Sequence, residues 1–446
     1  MRNIWMKSFR CFRYRQFARL APLTLLVGEN STGKTSFMAL VHSLWNMASF
    51  GEIPEFREPP FDLGTFDQIA HHRGGRGSRA ASFEAGFSTS ISSRDNPRDS
   101  KVFQKYEFSF HKKDFFPFPV EWRTEYNGSW IRCDEGADNQ FNVQCGTPNG
   151  NWETTLPMYR YNLPEHPFHS FANTSKVFFN SLTPMSGSQN PSEEDQSLLM
   201  KTGERKLLPG RPCVSAPIRF KPSRTYYPSR SQDRIVEGEY IVSYLAGISA
   251  SRKDMWSEIQ AELEQVGKLT GLFDEFTIGH SSDDVSVEVR IKKYGKGLKG
   301  PWRNIVDVGY GVSQALPVIF ELLFDEEAPL FMFQQPEIHL HPSAQAALAS
   351  FLCKHASWQK QIIVETHSDH LVDRVRIDVR DGNTILIPEE VSILYFERDG
   401  LEVIIHSLGI DAEGNIINID ENGNDIAVPE SYRRFFLEET TRSLGL

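Results

Sequence analysis

The sequence contains no CxxC pair among its 5 cysteines, which speaks against a zinc ribbon and against a disulfide framework. Cys11, Cys133, Cys145, Cys213 and Cys353 are scattered, as a reducing cytoplasm permits. Positive charge is not in excess either. The 48 Lys+Arg against 58 Asp+Glu leave a net charge of -10, so no global field draws the chain onto nucleic acid and any such contact must be local. Uninterrupted apolar runs are missing: the most apolar long stretch, Gln314 to Phe333, carries Glu321, Asp325, Glu326 and Glu327 and cannot span a bilayer. The basic N-terminal segment is interleaved with aromatics and lacks the apolar core and cleavage site of an export signal. No internal repeat is visible. What remains is a soluble, cytoplasmic chain with no membrane partner, whose 446 residues suffice for two or three domains or one large domain with insertions.

The first positive signal lies near the N-terminus. "LTLLVGE" is a short apolar run suited to a buried strand, and "TSFMALVHSLWNMA" has the apolar spacing of a helix. Between them Gly28-x-x-x-x-Gly33-Lys34-Thr35 is a complete phosphate-loop motif in the strand-loop-helix context it requires. Backbone N–H groups of Gly28, Glu29, Asn30, Ser31, Thr32, Gly33, Lys34, Thr35 and Ser36 would close around the phosphates of ATP, aided by the positive end of the helix. Lys34 would reach the β- and γ-phosphates, and the Thr35 hydroxyl would coordinate Mg²⁺.

Further along, segments between Ala80 and Thr147 such as "VFQKYEFSFH" and "VEWRTEYN" alternate or favour aromatic and β-branched residues, which predicts an antiparallel sheet inserted into the nucleotide-binding lobe. Ser186 to Arg205 is polar and reads as a mobile loop or a loop carrying a short helix. "GEYIVSYLAGI" and "DMWSEIQAELEQVGKLTGL" read as helices and "DVSVEVRIKKY" as a strand. In the last third the apolar strands "PLFMF", "QIIVE" and "VSILYFE" alternate with helices starting near Pro342 and Asp369, the pattern of a parallel sheet with crossovers. The fold class is therefore α/β with a mixed or parallel core sheet, an inserted antiparallel β subdomain and a helical subdomain. The expected spans are 1–79, 80–210, 211–300, 301–400 and 401–446.

Three C-terminal segments, "DVGYGVSQALP", "FMFQQPEIHLHP" and "IIVETHSDHLVDRVR", resemble the signature loop, Walker B and switch-histidine regions of bacterial ABC-type AAA ATPases, close to the overcoming-lysogenization-defect, RecF and SMC-head group. "APIRFKPSRTYY" is similar to the segment before the family's helical region, and the tail from Asn415 resembles a small domain of unknown function, DUF3696. The resemblance implies two heads packed head-to-tail, each completing the other's ATP site, as a dimer or higher oligomer. Gly309, Gly311, Ser313 and Gln314 would meet the γ-phosphate in trans, although Ser313 also fits as an ordinary cap of the helix that follows. His367 matches the switch histidine, and Gln68 is a candidate for sensing Mg²⁺. His339 and His341 have a spacing compatible with metal binding, but the resemblance places them beside the dimer interface instead. Arg73, Arg76 and Arg79 could touch nucleic acid or simply form a solvated basic loop.

By the same resemblance Gln334 occupies the position of the acid that helps hold Mg²⁺, and Gln335 that of the residue polarising the attacking water. Gln335 is an ordinary family variant; Gln334 is a departure. An amide keeps the size of Glu but removes the charge, so ATP binding should survive better than turnover. An exchange made to hold the ATP-bound state is favoured over a naturally slow ATPase, because every other motif is intact. The resemblance implies an ATPase subunit of a bacterial anti-phage system controlling a separate effector, a nuclease or toxin, with a phage protein or DNA as a possible trigger. The alternatives are a non-hydrolysing nucleotide-gated scaffold and a RecF-like DNA-repair ATPase.

Overall fold

The computed structural model describes residues 1–50, 53–54, 56–75, 77–90, 103–136, 140–157, 182–185, 188–203, 208–217, 219, 221–227, 240–280, 286–295, 298–325, 327–421, 423–432 and 434. Arg76, the start of the "GEYIVSYLAGI" helix and the ends of the 186–205 segment fall outside them. In chain order the elements are β1 (Asn3–Lys7), β2 (Gln16–Arg19), β3 (Leu23–Gly28), α1 (Lys34–Phe50), α2 (Phe66–Ile69), β4 (Ser82–Ser90), β5 (Phe103–Lys113), β6 (Phe116–Tyr126), β7 (Ser129–Glu135), β8 (Gln140–Thr147), β9 (Gly150–Pro157), β10 (Thr183–Pro184), α3 (Glu193–Gly203) and β11 (Cys213–Ser215). There follow α4 (Tyr240–Ser251), α5 (Lys253–Thr270), β12 (Glu275–His280), β13 (Val287–Lys292), β14 (Tyr294–Gly295), β15 (Leu298–Lys299), β16 (Arg303–Asn304), α6 (Tyr310–Phe324), β17 (Leu330–Gln334), α7 (Pro342–His355), β18 (Gln361–Glu365), α8 (Asp369–Arg380), β19 (Val391–Asp399), β20 (Glu402–Ile410), β21 (Ile416–Ile419) and β22 (Asp425–Ile426).

The chain divides into two units, one of Met1–Leu20, Glu29–Arg211 and Phe396–Ser407, the other of Ala21–Gly28, Pro212–Tyr395 and Leu408–Leu446. The phosphate loop therefore begins in the second unit, at Gly28, and continues in the first. In the first unit β1, β2 and β4 to β10 form one sheet in the order β10-β9-β8-β7-β6-β5-β4-β1-β2. The predicted antiparallel strands are present, but they continue from the N-terminal strand instead of forming a sheet of their own: β4 pairs with β1 from Asn3↔Ser88 to Lys7↔Glu84. Aromatic side chains fill the space against this sheet. Phe83 stacks on Phe110 at 4.8 Å and lies 5.4 Å from Phe9, while Phe56 packs edge-on to Phe83 at 5.8 Å. The polar 186–205 segment carries α3, and Asp195 anchors it by accepting from Thr147 Oγ1 at 2.7 Å and Ser192 Oγ at 2.6 Å.

On α1, His42 is buried, and burial, reinforced by the Arg211 charge, lowers its pKa from 6.5 to about 4. A depressed folded-state pKa means that this contribution to stability is complete above about pH 6.5 and is lost as pH falls through 4, because the unfolded chain takes up the proton first. Thermal melts from pH 7 to 4 should therefore fall more steeply for the wild type than for His42→Gln, by an amount corresponding to roughly 2–3 kcal/mol. Parallel curves would show that Glu58, whose carboxylate lies 3.4 Å from the imidazole, compensates the proton's cost.

The second unit is built on a sheet ordered β11-β17-β18-β3-β19-β20-β21-β22. Its pairs β11–β17, β17–β18 and β18–β3 are parallel. Every residue of β3, β17 and β18 is buried, as expected of parallel strands covered on both faces. One continuous core joins Leu25, Phe331 and Val364 of these strands to Leu245, Leu316, Leu352 and Val372 of the helices. The region expected to be helical holds α4 and α5 together with the small antiparallel sheet β12-β13-β16. Among the described residues no helix is long and apolar enough to cross a membrane.

Candidate functional site

The phosphate loop has the backbone of an anion cradle. Gly28, Ser31 and Gly33 have φ of 146°, 61° and 88°. Gly33 is required twice over: its φ is in the left-handed region, and a Cβ there would come within 2.4 Å of Cys11 Sγ and 2.9 Å of the Phe12 ring. Thr32 is buried and its hydroxyl donates to the Glu29 carbonyl at 2.8 Å, which curls the loop back on itself. Lys34, only 3 % exposed, donates to the same carbonyl at 2.6 Å. Glu29, Asn30, Ser31 and Thr35 are exposed, so the loop's outer face is open to a ligand.

Two arginines that the motif does not reveal brace this loop. Arg398 Nη2 donates to the Ser31 carbonyl at 2.8 Å. Arg10 donates through Nε to Ser36 Oγ at 3.4 Å and through Nη1 to the Gln68 carbonyl at 2.9 Å, which ties the Gln68 segment to the end of the loop. The Gln68 side chain itself folds back onto Thr65, accepting from its backbone N–H at 2.8 Å as part of the start of α2.

In the second unit, three parallel strands end together. Gln334 pairs in register with Glu365, and Glu365 with Leu26 of the strand that leads into Gly28. Such an edge, at the carboxyl ends of parallel strands, is where α/β sheets bind ligands. Gln334 is 4 % exposed and its Nε2 has no hydrogen-bond partner among the described residues. Gln335 adopts φ 45° and donates its N–H to the Glu365 carbonyl at 2.7 Å. The buried Glu337 then reaches across to the histidine segment: its Oε1 accepts from Thr366 Oγ1 at 2.6 Å and from the His367 N–H at 2.9 Å. Burial pushes the Glu337 carboxyl up, an effect opposed by those two donors. Thr366 N–H donates to the Leu26 carbonyl at 3.0 Å, and Ser368 Oγ caps α8 at Leu371 N and donates to Gln345 Oε1 at 2.6 Å. The His367 side chain is exposed between these two buried neighbours.

The signature segment lies in the same unit as that wall. Gly309 is the N-cap of α6 and supplies no side-chain bond. Gly311 approaches the turn after β17 closely, since a Cβ there would lie 3.0 Å from the His339 carbonyl, and Tyr310 lies 5.9 Å from the His339 ring. Ser313 and Gln314 are buried: the serine hydroxyl donates to the Tyr310 carbonyl at 2.9 Å, and Gln314 Oε1 accepts from Arg219 N at 3.2 Å. Gly309, Gly311, His339, His341, Lys293 and Arg303 line a cavity of about 720 Å³. His341 N-caps α7, accepting from Ser343 N. Among the described residues no group of three or more His, Cys, Asp or Glu side chains could hold a metal ion by itself.

The chain thus combines a glycine-rich loop between a buried strand and a helix with an α/β sheet whose parallel strands end side by side. Residues 214–373 match the family profile described as "AAA domain, putative AbiEii toxin, Type IV TA system". Among solved structures, the chain is similar to an SMC head bound to the C-terminal winged-helix domain of ScpA, at 12 % identity and TM-score 0.43 over 92 % of this chain and 98 % of that one. It is also similar to the SMC head domain of Thermotoga maritima, at 11 % identity and TM-score 0.34 over 91 % and 98 % of the two chains. A third similar structure is the Pyrococcus furiosus SMC head with an extended coiled coil bound to the ScpA C-terminal domain, at 11 % identity and TM-score 0.37 over 92 % and 96 %. No curated protein matches.

Proposed function

We propose that this chain is the ATPase subunit of a two-component system: it binds ATP, closes head-to-tail with a second copy, and in that state controls a separate effector protein. The observation that carries the reading is the cradle of Gly28 to Ser36, with its Gly33 that admits no side chain and its buried Lys34. The residues fit a nucleotide triphosphate well. Lys34 and the loop N–H groups bind phosphate oxygens, and Gly309, Gly311 and the start of α6 present N–H groups to a partner's γ-phosphate. Mg²⁺, once bound, supplies a Lewis acid that neutralises charge on the phosphates. For the cation the fit is partial: Thr35 offers a hydroxyl, but Gln334 offers an amide in place of an acid. Gln335 and His367 orient water at the wall, and His367 is held for that task by Glu337 through its backbone N–H. The chain as written binds and closes, and turns over slowly.

An anti-phage role with a nuclease or toxin as effector rests on the resemblance to ATPase-plus-nuclease pairs. ScpA bound to SMC heads is a parallel for an ATPase head that carries a partner protein. A nucleotide-gated scaffold is the second reading, favoured by the neutral Gln334. The direct test is size-exclusion chromatography with light scattering. With Mg²⁺ and ATP the chain should double in mass or assemble further, and it should remain in its resting state with ADP. A mass that ignores nucleotide refutes the head-to-tail reading.

A further inference from the structure

We infer that Arg219 is a positioning residue that couples the signature helix to the wall of the nucleotide site. The inference rests on the nucleotide-site reading above and extends it to a residue that lies on neither motif. Arg219 leaves the end of β11, whose Ser215 is in register with Phe333, one residue before Gln334. It is 3 % exposed. Its backbone N–H donates to Gln314 Oε1 on the first turn of α6 at 3.2 Å. The guanidinium donates through Nη2 to the Gln334 carbonyl at 2.9 Å and through Nε to Ser215 Oγ at 3.1 Å. Glu321 on α6 and Glu337 after β17 are the carboxylates whose charges favour this cation against its burial. Glu337 in turn holds Thr366 and the His367 N–H.

The guanidinium therefore holds the end of β17 while the backbone N–H of the same residue bonds Gln314 of the signature helix, and Glu337, whose charge favours the cation, holds the histidine segment. Arg219 Nη1 has no hydrogen-bond partner among the described residues, so the fork is not saturated in this arrangement. A buried ion cluster of this kind is poor value as a stabiliser, since desolvation consumes most of the Coulomb gain, and its best-attested use is to fix one arrangement over another. The planar fork suits that use better than an ammonium, because it addresses several acceptors in fixed directions. A contact that shifts the first turn of α6 would move Gln314, and with it Arg219, the Gln334 carbonyl and Glu337.

The test is hydrogen exchange read by mass spectrometry, with and without Mg²⁺ and ATP, on the wild type, Arg219→Gln, Arg219→Lys and Glu337→Gln. In the wild type ATP should slow exchange roughly tenfold both in residues 28–36 and in residues 334–341 and 362–371. Arg219→Gln should keep the first effect and reduce the second to less than about twofold, Arg219→Lys should recover part of it, and Glu337→Gln should resemble Arg219→Gln. Protection of both regions in a folded Arg219→Gln and in Glu337→Gln overturns the coupling alone. Absence of ATP protection at 28–36 in the wild type overturns the nucleotide site as well, so the two failures are distinguishable. If Arg219→Gln does not fold, Arg219→Lys and Glu337→Gln decide, and full wall protection in both rejects the role.

Discussion

Lys34→Ala should abolish ATP binding while leaving the fold nearly as stable as before. The ammonium is buried at the start of α1 and already points into the loop, where it donates to the Glu29 carbonyl at 2.6 Å. A phosphate anion entering the cradle meets a fixed, poorly solvated cation, the situation in which a charge-assisted hydrogen bond is strongest. Removing it should weaken binding of a fluorescent ATP analogue at least a hundredfold, equivalent to about 2.7 kcal/mol. The cost to the fold is smaller. One carbonyl loses a donor, roughly 1 kcal/mol, and the variant is spared the burial of an amine. A dissociation constant within threefold of the wild type, with an unchanged melting temperature, would eliminate the loop as a nucleotide site.

Much of this arrangement is legible in the sequence because it depends on short-range rules. The loop glycines, the helix after them and the apolar runs that become β3, β17 and β18 each announce themselves in a window of a dozen residues. The order of strands does not. That β18 stands between β3 and β17 follows from long-range pairing, which no local pattern encodes. The antiparallel strands were legible one by one, but not their continuation from β1, since Asn3 to Lys7 is too short to declare its neighbour. The braces of the site are equally silent. Arg10, Arg398 and Arg219 are single arginines whose contacts with Ser36, Ser31 and the Gln334 carbonyl join residues 26 or more positions apart, so spacing carries no signal for them. Glu337 lies just beyond the doubled glutamines in sequence, but nothing local shows what the geometry does, a carboxylate committed to Thr366 and His367.

The glutamine at the strand end leads to the second large effect. Gln334→Glu should raise Mg²⁺-dependent ATP turnover at least tenfold over the wild type, and should do so with a distinctive change in stability. The side chain is 4 % exposed and its amide nitrogen lacks a partner among the described residues, so the position has the desolvation of an interior site, and the guanidinium of Arg219 nearby is already committed to the Gln334 carbonyl and Ser215 Oγ. A glutamate placed there faces Glu365 as its register neighbour on β18. Without a cation that acid is pushed toward its protonated form, and the free variant should be less stable than the wild type by roughly 1–3 kcal/mol. Mg²⁺ with ATP reverses the sign: it provides the missing positive charge, so its melting-temperature increment should be larger in the variant than in the wild type. The two measurements decide between enzyme and scaffold. If turnover stays at the Lys34→Ala background while ATP still drives association, the amide is not what holds the reaction back, and the nucleotide acts on this chain as a conformational ligand alone. If turnover rises together with the enlarged Mg²⁺ increment, the strand end is a cation site lacking only its charge.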